Sequence, residues 1–407
     1  VKTIFFFTVF SVVVKSQLKP QVSMVPTFKL VYSGDTIILS CENSTGQVKW
    51  FLNQIIMKDK NQANKKLSIG AVSANNSGSY QCEDNGQKSD SFVITVREYL
   101  PPATLSIKSG EPVINIDGSV VLELLVEDNS LMGWCCWVYK GGKVRRIKLK
   151  KSLTIDHKEL TFQPYKLSDN IAIYWCSDET DLRSTSLTIK TSDRIVRMMI
   201  LPGPALLGET LSLRCVVSGT KRISHTIIYK EEKAIQDSSS SSYVINNVTE
   251  SDEGKYSCQA TFTRRDGGPQ NTVNSTQQEL IVSAPPMKAV LSAGMYCSCS
   301  SCPDDATYHW YYKLNNHQWI TKETRQSFAG VMSAGIYACR AVWKDGRSAR
   351  SNRINVLLIT LGLIFLGVVL VIGAIVMYRK RRAGEGKPTT DILSHCVFLC
   401  AHTYMFV

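Results

Sequence analysis

The sequence predicts an all-β chain of four tandem two-sheet sandwich domains followed by one transmembrane helix. Three observations support this prediction: a strand pattern that occurs four times, paired cysteines at similar separations, and one long uncharged run near the C-terminus. A chain of 407 residues can form several cores, because one domain usually holds about 100–200 residues.

The two ends of the chain predict secretion and membrane attachment. At residues 1–16, one lysine is followed by a short apolar run, which is typical of a signal peptide. The 22 residues from Val356 to Met377 carry no charge, so a helix there can cross a bilayer core about 30 Å thick. The basic residues that follow predict a transmembrane helix at 356–378 and a cytoplasmic tail at 379–407, as in a single-pass type I protein of the plasma membrane.

The region between these ends is predicted to fold in an oxidising compartment. Cysteines within residues 17–355 are therefore expected to form disulfides rather than metal sites. The net charge of +13 is spread over several domains, so nucleic acid is not an expected partner. The sequence contains no nucleophile with a matching base and no phosphate loop, so we expect neither an enzyme nor a cofactor.

The repeated unit begins with an alternating strand that ends in cysteine and closes with a Tyr-x-Cys strand. In the first unit, GDTIILSC ends at Cys41 and NSGSYQC ends at Cys82, 41 residues later. In the third unit, GETLSLRC ends at Cys215 and DEGKYSC ends at Cys258, 43 residues later. The alternation of apolar and polar residues in these segments predicts half-buried strands.

This spacing is typical of the immunoglobulin sandwich. In that fold a disulfide joins strands B and F of the two sheets, a Trp of strand C packs on it, and a Tyr lies two residues before the second cysteine. Trp50 and Trp310 take the Trp position in the first and fourth units, and Ile227 is expected there in the third. Proline-rich segments separate the units, which predicts domains at 17–97, 98–192, 193–283 and 284–355.

The second unit lacks the cysteine of strand B. Counting seven residues from Gly118 places Leu125 at that position. Strand F still carries Cys176 in the segment NIAIYWC. The partner of Cys176 is therefore expected to come from another strand.

Strand C of the second unit, GWCCWVYK, offers that partner. We interpret Trp137 as the core tryptophan, so alternation places Cys135 on the same inward face. We expect a disulfide between Cys135 and Cys176, with Cys136 exposed as a free thiol or as the link of a disulfide-bonded dimer. The alternative is a Cys136–Cys176 bond with Cys135 buried and inert.

The fourth unit has extra cysteines in the segment YCSCSSC. Either Cys297 or Cys299 is expected to pair with Cys339, and the other one with Cys302. A zinc site is not favoured, because no nearby Cys-x-x-Cys or His pair completes a tetrahedral set of ligands.

The segments LPPATLSI, GSVVLELL, IIYKEEKAI and ESDEGKYSCQATF resemble leukocyte Fc receptors and Fc-receptor-like proteins. The fourth unit, with its extra cysteines before TYHWYYK, resembles the membrane-proximal domains of fish Fc-receptor-like and leukocyte immune-type receptors. The resemblance covers most of residues 17–355. It implies an immune receptor that binds the Fc part of immunoglobulin or a class I histocompatibility-like protein, although no ligand-contact residue can be transferred.

A basic segment, KGGKVRRIKLKK, is the main candidate for ligand binding. It carries seven basic residues among the twelve positions 140–151, so it can meet an acidic protein face or a sulfated glycan. The alternative is a charged strand edge that prevents aggregation. The candidate ligand-binding residues are Lys143, Arg145, Arg146, Lys148 and the nearby Trp134.

Three tryptophans lie outside the framework positions: Trp134, Trp319 and Trp343. Each is expected either at a protein interface or packed against an adjacent domain. Four Asn-x-Ser/Thr sequons predict glycosylation at Asn43, Asn75, Asn247 and Asn274.

Three functions are compatible with these features. The first is a cell-surface immune receptor for an extracellular protein, immunoglobulin or a relative. The second is a cell-adhesion molecule whose domains bind like domains on other cells. The third is a transporter of polymeric immunoglobulin across epithelium.

Overall fold

The computed structural model describes residues 18–57, 64–126, 131–148, 152–155, 158–220, 222–263, 268–314, 319–323 and 334–382. Within these residues the chain forms four successive immunoglobulin-like β-sandwiches, which confirms the predicted all-β class with tandem sandwich domains. The predicted signal peptide at 1–16 lies outside the described residues, as do residues 383–407 of the predicted tail.

The first domain packs a three-stranded sheet against a five-stranded sheet. The strands of the first sheet are Gln21–Val25, Ile37–Glu42 and Lys66–Ile69. Those of the second are Ile55–Ile56, Val48–Leu52, Gly78–Asp84, Gln87–Lys88 and Phe92–Ile94, while Val31–Tyr32 pairs in parallel with Val96–Arg97. A 3₁₀ turn, Ala74–Asn76, precedes strand F. Alternate residues of each strand point inward, and Ile37, Leu39 and Cys41 are the most deeply buried residues of their strand.

The second domain packs a four-stranded sheet against a five-stranded sheet. The four strands are Thr104–Ser109, Val121–Leu125, Glu159–Phe162 and Ser152–Ile155. The five, in spatial order, are Val113–Asn115, Leu187–Ser192, Ile171–Ser177, Cys135–Lys140 and Lys143–Arg146. Strand Lys143–Arg146 is thus an edge strand.

The third and fourth domains repeat this plan. One sheet of the third domain consists of Val196–Leu201, Leu211–Val217 and Ser242–Ile245. The other consists of Lys233–Ser238, Ile223–Lys230, Gly254–Thr263, Gln270–Asn274 and Gln278–Leu280. The domain also has the parallel pair Ala205–Leu206 and Val282–Ser283, and the 3₁₀ turn Glu250–Asp252. The fourth contains the pair Val290–Leu291 and Cys297–Ser298, and a sheet of Ile320–Glu323, Thr307–Lys313, Ile336–Trp343, Gly346–Arg347 and Ile354–Asn355.

A helix, Val356–Arg382, follows the last strand. The side chains of residues 357–366 and 380–382 lie outside the described set. Among the residues that the structure describes, no helix has the length and apolarity needed to cross a membrane.

Two tyrosines near the start of strand F anchor the preceding turn. The hydroxyl of Tyr80 donates to the backbone oxygen of Asn76 at 2.8 Å, and that of Tyr256 donates to the backbone oxygen of Asp252 at 2.7 Å. Burial raises the pKa of each tyrosine to about 12. Both domains thus have the corner hydrogen bond of immunoglobulin sandwiches.

Disulfides join the two sheets in three of the four domains. The structure joins Cys41 to Cys82 in the first domain, Cys215 to Cys258 in the third and Cys297 to Cys339 in the fourth. A fifth bond, between Cys299 and Cys302, closes a short loop in the fourth domain. These two bonds of the fourth domain decide which cysteine pairs with Cys339: Cys297 supplies the strand B half of the inter-sheet bond, and Cys299 pairs with Cys302.

In the second domain the predicted Cys135–Cys176 bond is wrong. The disulfide joins Cys136 to Cys176, and Cys135 is the free, half-buried thiol. The error has a clear cause: Trp137 does not belong to the core of its own domain, but packs against the buried cluster that joins Trp175 of the second domain to the core of the first. Cys136 and Val138 therefore face the core of the second domain, and Cys135 shares the outer face with Trp137.

Strand pairing shows what the second-domain disulfide replaces. The residue directly opposite the strand F cysteine is Trp50 in the first domain and Trp310 in the fourth. In the third domain it is Ile228, not the predicted Ile227. In the second domain it is Cys136, so the disulfide takes the place of the core tryptophan.

The position of the missing strand B cysteine also needs correction. Gly34 and Asp117 hold equivalent positions in their domains. The N–H of Gly34 donates to the oxygen of Val72 at 2.8 Å, and that of Asp117 donates to the oxygen of Leu167 at 2.9 Å, in each case shortly before strand F. Counting seven residues from Asp117, rather than from Gly118, gives Leu124 instead of Leu125. Leu124 is fully buried, so an apolar side chain fills the space of the absent cysteine.

Candidate functional site

The basic segment of the second domain forms a hairpin at the edge of a sheet. Its two-residue turn, Gly141 and Gly142, has φ angles of +55° and +76°, a conformation that favours glycine. The turn leads into strand Lys143–Arg146, in which all four side chains are exposed. Edge strands have one unpaired side, so this charged strand is accessible to a partner.

Strand pairing divides the basic side chains between two faces. Arg146 lies opposite Trp137, and Arg145 lies opposite Val138. Paired residues project to the same side of a sheet, so Arg146 shares the outer face with Trp137 while Arg145 shares the opposite face with Val138. The predicted basic residues thus do not form a single patch.

An open cavity of about 370 Å³ brings three of the predicted residues together. Trp134, Arg146 and Lys148 line it, whereas Lys143 and Arg145 do not. Trp134 is half-buried, because part of its ring system packs against the core of the second domain. The cavity combines an aromatic wall with two cationic side chains, which suits an anionic or acidic group of a partner.

Cys135 also lines this cavity. A guanidinium nitrogen of Arg146, Nη2, lies 2.8 Å from the sulfur of Cys135. The backbone N–H of Ile147 donates to the oxygen of Cys136 at 2.8 Å and fixes the strand beneath the cavity. Cys136 is bonded to Cys176, so the free thiol among the described residues is that of Cys135.

The remaining candidates lie elsewhere. The ring of Trp319 lies 5.6 Å from the guanidinium of Arg350 and 5.7 Å from that of Arg353. Trp343 is buried and packs against Tyr99, where the chain passes from the first domain to the second. The four sequon asparagines are all exposed: Asn43, Asn75, Asn247 and Asn274.

Two segments of the chain match known families. Residues 206–277 match the family described as immunoglobulin domain, and residues 34–98 match the family described as T-cell surface glycoprotein CD3 delta chain. The chain is an immunoglobulin-domain protein. A solved structure, Sidekick-1 immunoglobulin domains 1-5, is similar at 14% identity over 82% of this chain and 78% of that chain, with a TM-score of 0.16.

An immunoglobulin-domain protein of this kind is consistent with a receptor or an adhesion molecule at or outside the cell surface. Neither matched family is catalytic. The assignment rests on the strands and disulfides described above and on the two family matches.

Sequence reasoning missed the interface between the first two immunoglobulin domains. Tyr139, Ile173 and Trp175 of the second domain are buried in one cluster with the core of the first. Phe28 packs edge-on against Trp175, with ring centroids 5.4 Å apart. The signal was present in the segment IAIYWC, because a strand with apolar residues on both sides is covered on both faces.

A buried arginine lies at the centre of this interface. Arg183 of the second domain forms an ion pair with Asp35 of the first, and both side chains are almost inaccessible to water. The guanidinium carbon lies 4.0 Å from the ring centroid of Phe28 and 4.5 Å from that of Tyr32. The interface therefore combines apolar burial, cation–π contacts and a paired charge.

Proposed function

We propose that this chain is a single-pass cell-surface receptor of the immunoglobulin superfamily that resembles Fc receptors. Its ligand is the Fc part of immunoglobulin or a class I histocompatibility-like protein. The observation that carries the proposal is the exposed basic strand Lys143–Arg146 beside a cavity lined by Trp134. The choice of an immune ligand comes from the resemblance of the domain sequences.

The physical case for protein recognition rests on the chemistry of this edge. Exposed arginines and lysines raise the rate of encounter with an acidic surface, and an adjacent aromatic residue supplies apolar contact area. Arg146 and Lys148 face the same cavity as Trp134, so charge and apolar surface are adjacent. Binding is expected to weaken as ionic strength rises.

The proposed location also has support from the chain. The disulfides of the four domains fit folding in an oxidising compartment. Exposed sequons fit glycosylation along the same route. The uncharged run from Val356 to Met377, followed by basic residues, supports a type I membrane anchor.

Binding to the full-length chain on transfected cells tests the proposal. Purified immunoglobulin and soluble class I-like protein from the same species are the two probes. Combined Arg146→Glu and Lys148→Glu substitution is expected to weaken binding by about 10-fold or more, since two attractive charges that line the cavity become repulsive. Lys255→Glu, at an exposed lysine of the third domain, is the matched control and should leave binding unchanged.

Absence of binding by both probes at micromolar concentration removes the proposed ligand class. Equal binding by the double variant and the wild type removes the basic strand as the site. The dimer part of the proposal is tested separately: a Cys135-linked dimer runs at twice the monomer mass on a non-reducing gel and disappears in Cys135→Ser.

One observation favours adhesion as a second function. Strand Ile55–Ile56 is an exposed edge of the first domain, and the side chain of Ile55 is 73% exposed. An uncharged, apolar edge strand can pair with another copy of the same strand. Aggregation of cells that display the chain, abolished by Ile55→Lys but not by Arg146→Glu, would support adhesion over ligand capture.

A further inference from the structure

The tip of the fourth domain lies against the junction of the first two domains. The clasp hairpin, residues 343–347, connects strand Ile336–Trp343 to strand Gly346–Arg347. It contacts the elbow, residues 98–104, where the chain passes from the first domain to the second. Domains distant in sequence thus meet at one place.

Backbone atoms make the first part of this contact. The N–H of Leu100 donates to the oxygen of Arg347 at 3.0 Å, and the N–H of Arg347 donates to the oxygen of Leu100 at 2.8 Å. The N–H of Met287 donates to the oxygen of Glu98 at 3.2 Å. Reciprocal bonds of the antiparallel type fix both the register and the direction of the two segments.

Aromatic side chains make the second part. Tyr99 packs edge-on against Trp343, with centroids 5.0 Å apart. The hydroxyl of Tyr32 donates to the backbone oxygen of Asp345 at 2.6 Å, and that of Tyr99 donates to Oδ2 of the same residue at 3.2 Å. Burial raises the pKa of both tyrosines. Edge-to-face aromatic pairs with satisfied hydroxyl groups are typical of specific interfaces.

Arg347 extends the contact to the second domain. Its side chain is 1% exposed, and Nη2 donates to the hydroxyl of Thr104 at 2.7 Å. One short hairpin therefore contacts the first domain through Tyr32, the elbow through Tyr99 and the start of the second-domain sheet through Thr104.

We propose that residues 343–347 form an intramolecular clasp that holds the four domains in a folded-back form. In the closed form the clasp covers the elbow, and the elbow becomes accessible only when the fourth domain moves away. The strength of the clasp sets the fraction of open molecules. This proposal is independent of the ligand proposed above.

Glycine 346 provides a minimal perturbation of the clasp. A Cβ at Gly346 would lie 2.3 Å from ring atoms of Tyr99 and 3.0 Å from Nε1 of Trp343. The φ angle of Gly346 is not in the left-handed region, so alanine fits its backbone. Gly346→Ala is therefore expected to push the hairpin away from the elbow.

Hydrogen–deuterium exchange on the purified full-length chain measures the opening. The amides of Leu100 and Arg347 should be protected in the wild type and exchange about 5- to 150-fold faster in Gly346→Ala, since overpacking costs about 1–3 kcal/mol. Lys344→Ala changes an exposed residue of the same hairpin and should leave exchange unchanged. The amide of Cys339, which donates to the hydroxyl of Ser351 at 2.9 Å, reports whether the fourth domain stays folded.

A second variant separates opening from misfolding. Tyr99→Ala leaves the fourth domain intact and should also speed exchange at Arg347. The double variant Tyr99→Ala with Gly346→Ala should exchange at Arg347 no faster than Tyr99→Ala alone. Unprotected Leu100 and Arg347 amides in the wild type overturn the proposal. So does unchanged exchange in both single variants while Cys339 remains protected.

Discussion

Replacing Arg183 by alanine is expected to loosen the first domain from the second. The guanidinium donates through Nη1 to Oδ1 of Asp35 at 3.2 Å and through Nη2 to the backbone oxygen of Leu30 at 2.7 Å. The side chain of Asp35 is only 2% exposed, so removal of the guanidinium leaves a buried carboxylate without its counter-charge. Breaking one half of a buried ion pair typically costs about 3–5 kcal/mol.

Native-state hydrogen exchange of the full-length chain measures this cost at a chosen amide. The N–H of Tyr32 donates to Oδ2 of Asp35 at 2.7 Å, so its protection depends on the same carboxylate. A loss of 3–5 kcal/mol corresponds to exchange about 100- to 4,000-fold faster, up to the limit set by local opening. The double substitution Arg183→Met with Asp35→Leu should recover most of the protection, because it removes both charges.

The matched control is a second ion pair across the same interface. Lys29 and Asp181 also form a bridge, but their side chains are 75% and 59% exposed. Exposed pairs contribute less than about 1 kcal/mol, so Lys29→Ala should change exchange at Tyr32 by less than about 5-fold. Similar responses of Arg183→Ala and Lys29→Ala would refute the argument that burial gives Arg183 its importance.

Three further outcomes follow from the second domain and the tyrosine corner. Cys136→Ser is expected to lower the unfolding free energy of its domain by about 2–5 kcal/mol, whereas Cys135→Ser should leave it nearly unchanged. Calorimetry measures both values. Alkylation of Cys136 in the native protein would contradict the disulfide assignment. In a double variant with Leu124→Cys and Cys136→Trp, the new thiol at position 124 should form a disulfide with Cys176. A reduced thiol at position 124 in a non-reducing peptide map would show that Leu124 does not occupy the strand B cysteine position. The pKa of Tyr80 is raised to about 12, so its contribution is complete below about pH 10 and decreases as pH rises further, because the unfolded chain releases the proton first. Between about pH 9 and 12, the thermal unfolding temperature should fall more steeply with rising pH in the wild type than in Tyr80→Phe. Equal dependence of the unfolding temperature on pH in the two proteins would exclude this linkage.

The repeats predicted the number and kind of domains because each sandwich needs the same local devices. An alternating strand with an inward cysteine, and a Tyr two residues before the second cysteine, occur within short segments such as NSGSYQC. These patterns depend on neighbours in sequence, so they could be read without knowing how domains pack. The structure shows the corresponding corner at Tyr80 and Tyr256.

The wrong assignment of Cys135 shows where this reasoning fails. Alternation gives the relative orientation of Cys135, Cys136 and Trp137, but not which side faces the core of the domain. The match between WVYK of the second unit and WYYK of the fourth assigns Trp137 the inward position of Trp310. Here both faces of the strand are covered, one by the second-domain core and the other by the first domain.

Contacts between domains could not be predicted for a related reason. Arg183 and Asp35 are 148 residues apart, and Leu100 and Arg347 are farther apart still. No periodic pattern links such positions. At the candidate site, the sequence identified the exposed charges of Lys143 and Arg145, but only the folded structure shows that Arg146 shares a cavity with Trp134.

The second-domain disulfide changes how that domain would respond to a pulling force. Cys136 and Cys176 lie on neighbouring strands of one sheet, so no covalent bond crosses between its two sheets. If tension acts along the chain, residues 136–176 remain closed as a loop, while strands Thr104–Ser109 and Val121–Leu125 can be drawn out in full. In the first domain the corresponding loop begins already at Cys41 in strand B, so less chain is released. Under load, the second domain therefore yields a longer extension than the first before its disulfide bears the force.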